Sequence, residues 1–583
     1  MPRIDEMPQY RAKLPKSVHD LSHKFGFTAT VAHLMPIFHD FLNPGETVEL
    51  GFNYNLRTQP LQSAAMVDIK SHVEYFFVPM QLLYSPFGNV LYNIEDSYSS
   101  NFPVVGEPSV NVNLPLLRWS DVLTAMQSFD SEQIGFEEWA NHAYRLLDLL
   151  GFNNTDLNKQ SSKNYNPNVF PYQFLAYHCI YQYYYRLDNR ERFNQHLFNW
   201  DKYYNDIYAS LADASLRSLL CLHYRPKDSD YFTDCKVSPI VDVLNLNTKD
   251  ELMTASSPLS RVSLSSGRVL SSGGRGIVSA DVADSPLGDD FVYPDSEIQT
   301  NFGFRADNGS PDNPTFNGQD INTANIRAMF ASEKLWSITG RAKKHYDDQT
   351  LAHFGFKVPH DVKHEISCFG HDRGLIHIGE VIATAGTDST PLGEIAGKGY
   401  GNLSTKPHKF TAPCHGVVMV ILSFVPDISY GQTFGKYNAI GSAADFYKPE
   451  YDHLGMQPLF HYEGYPDDQS NLAKIVGWQY RYEQWKRRYN RVSKAFCGSG
   501  NLDSWMLDFR PSDTENAANT ENYLDYLHSP SELDQIMLVN YVTGLPAADE
   551  TKTYDGDPFV VDGFIHCKKV STMSDYSLPR LDA

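Results

Sequence analysis

Cysteine is scarce in this chain, with seven in 583 residues: Cys179, Cys221, Cys235, Cys368, Cys414, Cys497 and Cys567. None forms a CxxC pair and the number is odd, so no disulfide framework is expected and a reducing compartment fits best. HExxH, G-x-S-x-G and a P-loop are all missing, which removes the commonest hydrolase and nucleotidase signatures. The opening MPRIDEMPQYRAKLPKSVHDLSHKF has no apolar core and reads as no signal peptide. Asn153, Asn308 and Asn402 begin N-x-S/T sequons, which are therefore read as chance. The longest apolar run, Val417–Val425, is interrupted by Ser423 and is too short for a bilayer, so no membrane insertion is expected. Basic charge is also in deficit: the net charge is −21. A surface that grips nucleic acid everywhere is excluded, and any such contact must be local. Asp347–Asp348 and Asp467–Asp468 are adjacent in sequence, point apart, and read as turn carboxylates rather than an acid/base pair.

What the chain does have is aromatic side chains, 13% of all residues, with 36 Tyr and 34 Phe. These favour strands and broad contact surfaces. With 33 Pro and 37 Gly it must also contain many turns and long loops. Residues 1–40, with Pro2, Pro8, Pro15 and Pro36, read as an extended arm with little core of its own. A Pro-Gly turn then opens "NPGETVELGFNYNLRT" (43–58), where Val48, Leu50, Phe52, Tyr54 and Leu56 alternate as in a half-buried strand. "HVEYFFVPM" (72–80) is a second strand, ended by Pro79. Residues 41–85 therefore hold the first strands, and 86–250 a long helix- and loop-rich insertion. Within it Phe174, Leu175, His178, Tyr181 and Tyr185 recur near helical spacing. The Ser/Gly-rich stretch 251–320 reads as a surface excursion. Residues 321–583 return to strands after a helical piece at about 322–354. "LIHIGEVIAT" (375–384) is one of these strands, and "HGVVMVILSFVP" (415–426), apolar on both faces, should be central and buried. Strands, a long insertion and more strands suit a β-sandwich with enlarged loops.

Several segments, in order along the chain, resemble the major capsid proteins of the Microviridae, above all the gokushovirus-like branch. "DLSHKFGFTATVAHLMPIFHDFLNPGETVEL" (20–50) is similar to the family's opening, with Glu46 where Asp is more usual. "EYFFVPMQLLY" (74–84), "FPYQFLAYHCIYQYYYRLDNRE" (170–191) and "LHYRPKDSDYFTD" (222–234) resemble its next conserved blocks. So do "NIRAMFASEKLWSITGRAKKHYDDQTLAHFGFKVP" (325–359), "PLGEIAGKGYG" (391–401), "DFYKPEYDHLGMQPLF" (445–460) and the closing "STMSDYSLPRL" (571–581). Residues 100–165 and 250–320 match poorly.

The resemblance implies a mainly β fold: an eight-stranded antiparallel viral jelly-roll with large helical and loop insertions. It implies a structural protein, not an enzyme and without cofactors, of which sixty copies close through pentamers into a T=1 shell around single-stranded DNA. Implied partners are an internal scaffolding protein, a DNA pilot protein and a host cell surface receptor. The implied location is the virion, assembled in the bacterial host cytoplasm. In gokushovirus-like members an insertion forms a threefold spike, for which 251–320 is the first candidate here and 100–165 the second.

A shell protein works through interfaces, for which Tyr181, Tyr183, Tyr184 and Tyr185 offer one surface, unless they are a helix's core face. The best DNA-contact candidate is "WQYRYEQWKRRYNRVSK" (478–494). It sets Arg481, Lys486, Arg487, Arg488, Arg491 and Lys494 against one acid, Glu483, with Trp478, Tyr480, Tyr482, Trp485 and Tyr489 interleaved. Cations neutralise phosphates and aromatic faces stack on unpaired bases; the competing reading is a basic stretch paired with this protein's own carboxylates. Arg3, Arg11, Lys13 and Lys16 form a weaker DNA or assembly arm. His360, His364, Cys368 and His371 have metal-ligand types but not the tight pairing of a standard zinc site, so packing is the favoured reading and no metal is expected. The alternative function is a carbohydrate-binding or carbohydrate-active β-sandwich protein, which would use the same aromatics and acids.

Overall fold

The computed structural model describes residues 16–92, 116–119, 145–152, 168–186, 222–236, 334–355, 366–382, 384, 393–464, 475–508, 537 and 557–573, with short breaks inside several ranges. Its strands are β1 (Ser17–Asp20), β2 (His23–Ala29), β3 (Met35–Leu42), β4 (Thr47–Thr58), β5 (Ile69–Pro79), β6 (Leu117–Arg118) and β7 (Asn168–Val169). They continue with β8 (Ser367–Ile382), β9 (Ile395–Leu403), β10 (His408–Thr411), β11 (Gly416–Pro426), β12 (Met456–Phe460), β13 (Ile475–Tyr480) and β14 (Phe559–Ser571). Ten of them make one sheet in the order β1-β14-β4-β9-β8-β5-β11-β3, with β2 also along β14 and β10 along β4.

The expected alternation sets the faces. Val48, Leu50, Phe52, Tyr54 and Leu56 of β4 are all buried, and β14, paired with β4 over most of its length, alternates as strictly. Gly45 has φ +77°, a left-handed conformation that the Pro44–Gly45 turn before β4 needs and that glycine adopts at no steric cost. β11 is buried at all eleven positions because β5 flanks it on one side and β3 on the other. Pro36 lies on β3, where the register with β11 shifts. An edge strand with a bulge tolerates the missing N–H there.

The sheet curls into two layers. Phe424 of β11 lies 4.8 Å from Phe559 of β14, ring centre to ring centre. The backbone N–H of Phe52 on β4 donates to the Tyr75 hydroxyl of β5 at 3.0 Å. Neither β11 and β14 nor β4 and β5 are neighbours in the sheet order, so both contacts cross the sandwich. The architecture is the expected antiparallel jelly-roll. Eight strands form its body, and β1 and β2 add along the outer edge of β14.

Those two strands correct the reading of residues 1–40 as an arm with little core of its own. From Ser17 the chain is sheet, and Ala29, Val31, Ala32, Leu34, Met35 and Ile37 are buried. The backbone groups of β14 need partners on both sides, and this segment supplies them.

The insertion 86–250 contributes a core helix, Tyr172–Ile180, at the predicted place. It is buried nearly all round, and Tyr177 ties it to the sheet by donating to the Leu34 carbonyl at 2.9 Å. The helix then widens into a π turn, Tyr181–Tyr185. Only Tyr184 of this cluster is well exposed. Tyr184 donates to the Ile366 carbonyl and Tyr185 to Glu74, so the tyrosines chiefly fasten the insertion to the sheet. Asp347 and Asp348 open a helix, Tyr346–Phe354, rather than a turn. Acids suit a helix N-terminus, whose dipole is positive. Residues 251–320, Asp467–Asp468 and nearly all of 100–165 lie outside the described residues.

Candidate nucleic-acid interface

β12 and β13 pair as an antiparallel ribbon apart from the main sheet. Trp478 anchors the ribbon by exchanging two backbone hydrogen bonds with Lys236, at 2.7 and 2.8 Å. Tyr482 then turns the chain at φ +64° into a single helical turn, Glu483–Lys486. This ribbon and turn carry the basic stretch.

The cations fall into two groups. Arg487 donates to Asp234 at 2.6 Å and, one turn back, to Glu483 at 2.8 Å. The bond to Asp234 holds its guanidinium above the ordinary arginine range. Lys486 pairs with Asp452 at 3.3 Å. Arg488 lies over the Tyr437 ring at 4.2 Å and donates to its hydroxyl. Arg481 lies against the rings of Tyr451 and Tyr482. Arg491 and Lys494 are exposed, and no carboxylate among the described residues pairs with either.

The aromatics divide too. Tyr482 is buried. Tyr489 packs among Tyr231, Phe232 and Tyr430. Trp485 and Tyr480 remain exposed, and Trp485 leans on Tyr437 at 4.9 Å. Sequence reading did not single out Tyr437, Lys448 and Tyr451, which the structure brings beside this stretch. For Lys448 and Tyr451 the signal was the aromatic density of "DFYKPEYDHLGMQPLF" (445–460). Together these groups make a surface of exposed rings and guanidinium groups on a strongly acidic chain. Of the weaker arm, Lys16 donates to the Gly45 carbonyl at 2.9 Å; Arg3, Arg11 and Lys13 lie outside the described residues.

The histidine and cysteine cluster, for which no metal is expected, is only partly described. His360 and His364 lie outside the described residues. On β8, the backbone N–H of Cys368 donates to the Tyr184 hydroxyl, and His371 faces β5. There His72, Glu74 and His371 offer three ligand atoms within 4.8 Å; His72 Nδ1 and His371 Nε2 are bonded to each other, while His72 Nε2 is buried without a hydrogen-bond partner. The two imidazole planes are 4° apart and 5.5 Å between centres, with nitrogens 3.2 Å apart. That is a head-on N–H···N bond between coplanar rings, which leaves one of the two nitrogens protonated and occupies the lone pair of the other. Glu74 accepts both Arg225 nitrogens, at 2.9 and 3.2 Å. Burial, followed by the Arg225 charge, pushes His72 down to about 3. Burial alone would raise Glu74, but Arg225 brings it below its ordinary value.

A curled antiparallel jelly-roll is an architecture that viral capsid domains share with lectins and cupins, so the fold admits a shell protein. The chain belongs to the phage capsid family described as "Capsid protein (F protein)", which matches residues 9–117 and 161–541. It is also 23% identical, over 638 aligned positions, to capsid protein VP1 of Chlamydia phage 1, covering 99% of this chain and 97% of that protein. It is a structural protein of the virion that builds the capsid with copies of itself, and no described helix is long and apolar enough to cross a membrane.

Proposed function

We propose that sixty copies of this chain close, through pentamers, into a T=1 shell around a single-stranded DNA genome, and that the chain has no catalytic activity. The observation that carries this reading is the capsid-family match over most of the chain, on a jelly-roll framework. Assembly takes place in the bacterial host cytoplasm with an internal scaffolding protein, and the finished particle carries a DNA pilot protein and meets a host surface receptor. Residues 251–320 form the threefold spike. The basic stretch Arg481–Lys494 meets the genome, with Arg491 and Lys494 as the main phosphate contacts and Trp485 as a stacking platform. Arg3, Arg11, Lys13 and Lys16 serve as a second contact to DNA or scaffold.

The test is electron microscopy of the chain expressed in bacteria, with and without a candidate scaffolding partner. Uniform closed particles, or pentamers that convert to them, are expected. A monomer under every condition would overturn the shell reading, and glycan binding by that monomer would favour a carbohydrate-binding sandwich.

A further inference from the structure

Beside the basic stretch lies a cavity of about 250 Å³, between the β12–β13 ribbon and the segment around Lys436. Phe460 and Tyr462 on its wall are stacked, 5.6 Å apart and 13° from parallel. Lys436 crosses the Phe460 ring at 5.5 Å but is already paired with buried Glu463. Gln484, 7% exposed, lines the cavity too. Its Oε1 accepts from Gln457 at 2.7 Å, which orients the amide. Its Nε2 donors are committed to no other group among the described residues. Arg481 lines the cavity as well. Its Nε is buried with no hydrogen-bond partner, and no carboxylate among the described residues pairs with it.

A buried donor without a partner is costly and calls for an explanation, and Arg481 Nε is one. The two donors that line this cavity differ in kind. One is a neutral amide beside stacked rings, suited to a carbonyl on a flat heterocycle. The other is a guanidinium N–H, suited to an anion, and it sits where the neighbouring Lys436 is neutralised by Glu463. A neutral sugar would leave the arginine unanswered, whereas a nucleotide answers both.

We propose that this cavity takes one nucleotide of single-stranded DNA. Its base lies against Phe460 and Tyr462, a base carbonyl accepts from Gln484 Nε2, and the adjoining phosphate accepts from Arg481. The proposal rests on the reading that the basic stretch meets DNA, and it adds a base-holding pocket to a phosphate-binding surface.

The full-length chain is titrated with oligo(dT) and with an abasic strand of equal length, and is photocross-linked to oligo(dT) bearing 5-iododeoxyuridine. The expected result is about tenfold weaker binding of the abasic strand, in line with the loss of a base–aromatic stack, and cross-links on Phe460, Tyr462 or Tyr482. Phe460→Leu should weaken oligo(dT) by a similar factor and leave the abasic strand unchanged. Mapping on the unaltered chain keeps the test independent of how that variant folds. Equal affinity for both strands, or cross-links confined to Tyr437, Tyr480 or Trp485, overturns the pocket and leaves the DNA-binding surface standing. Failure of both strands to bind overturns the two readings together.

Discussion

Arg487 and Arg491 are one helical turn apart in sequence, yet their charges have different fates. Arg487 is held between Asp234 and Glu483, while Arg491 faces water. A cation already engaged by carboxylates releases fewer counterions from DNA, because its charge is already compensated. Changing both Arg491 and Lys494 to Ala should therefore flatten the salt dependence of single-stranded DNA binding by about 1.4 in log–log slope, at roughly 0.7 per phosphate contact. Arg487→Ala should change it by clearly less. Titrations between 50 and 200 mM salt, a range chosen because such contacts respond strongly within it, check this. Equal effects of the two substitutions would mean that the Asp234 pair opens on binding.

Element by element, the sandwich depends on β11, the strand buried at every position. β11 lies between β5 and β3 and packs Phe424 across the core onto β4 and β14. Ile421 is 1% exposed, flanked on both sides, with little freedom for neighbours to collapse into a hole. Ile421→Ala should cost about 3 kcal/mol of stability, read as a lowered denaturant midpoint. Val560→Ala, on the outer face of β14 and 45% exposed, should stay within about 0.5 kcal/mol. At this scale the sequence was largely legible. Alternation placed the inward face of β4, and the continuous apolar run placed β11 in the middle. The strict alternation of β14 was equally present in "FVVDGFIHCKKVS" but was masked by Lys569, an inward-facing lysine. Asp40 at 3.0 Å and Glu46 at 3.4 Å make its burial tolerable, and both are more than 500 residues away in sequence.

Across the whole molecule, histidines with lowered pKa values couple stability to pH. His72, His371 and His223 all have pKa values below the usual 6.5, through desolvation first; Arg225 adds to this at His72 and His178 at His223, while Glu74 opposes it at His371. The groups facing His72 are His371, Glu74, Arg225 and Arg373. A histidine depressed in the folded state takes up its proton more readily when unfolded, so stability falls as pH drops below 6.5, and for His72 it goes on falling to about 3. Glu46 and Glu74 are depressed carboxylates. Their stabilisation is present above about 4.5 and is lost as pH falls through their lowered folded values. The denaturation midpoint should thus hold steady above pH 7 and decline from 6.5 downward. His72→Asn should remove up to about 1.4 kcal/mol per pH unit of that decline. An unchanged slope in the variant would assign the pH dependence to other groups.

By itself the sequence marked four of the sheet's strands, at 43–58, 72–80, 375–384 and 415–426, and the inward face of β4, because alternation is a local property of the backbone. It also carried the capsid resemblance, because the family's short blocks survive in order along the chain. The tertiary structure alone decided that residues 17–42 complete the sheet rather than hang from it, since only the open edges of β14 and β11 create that need. It alone sorted the basic stretch into paired and unpaired cations and set Gln484 and Arg481 around one cavity. Pairing depends on Asp234, Asp452, Glu463 and Phe460, which share the neighbourhood of Arg481–Lys494 only after the chain has folded.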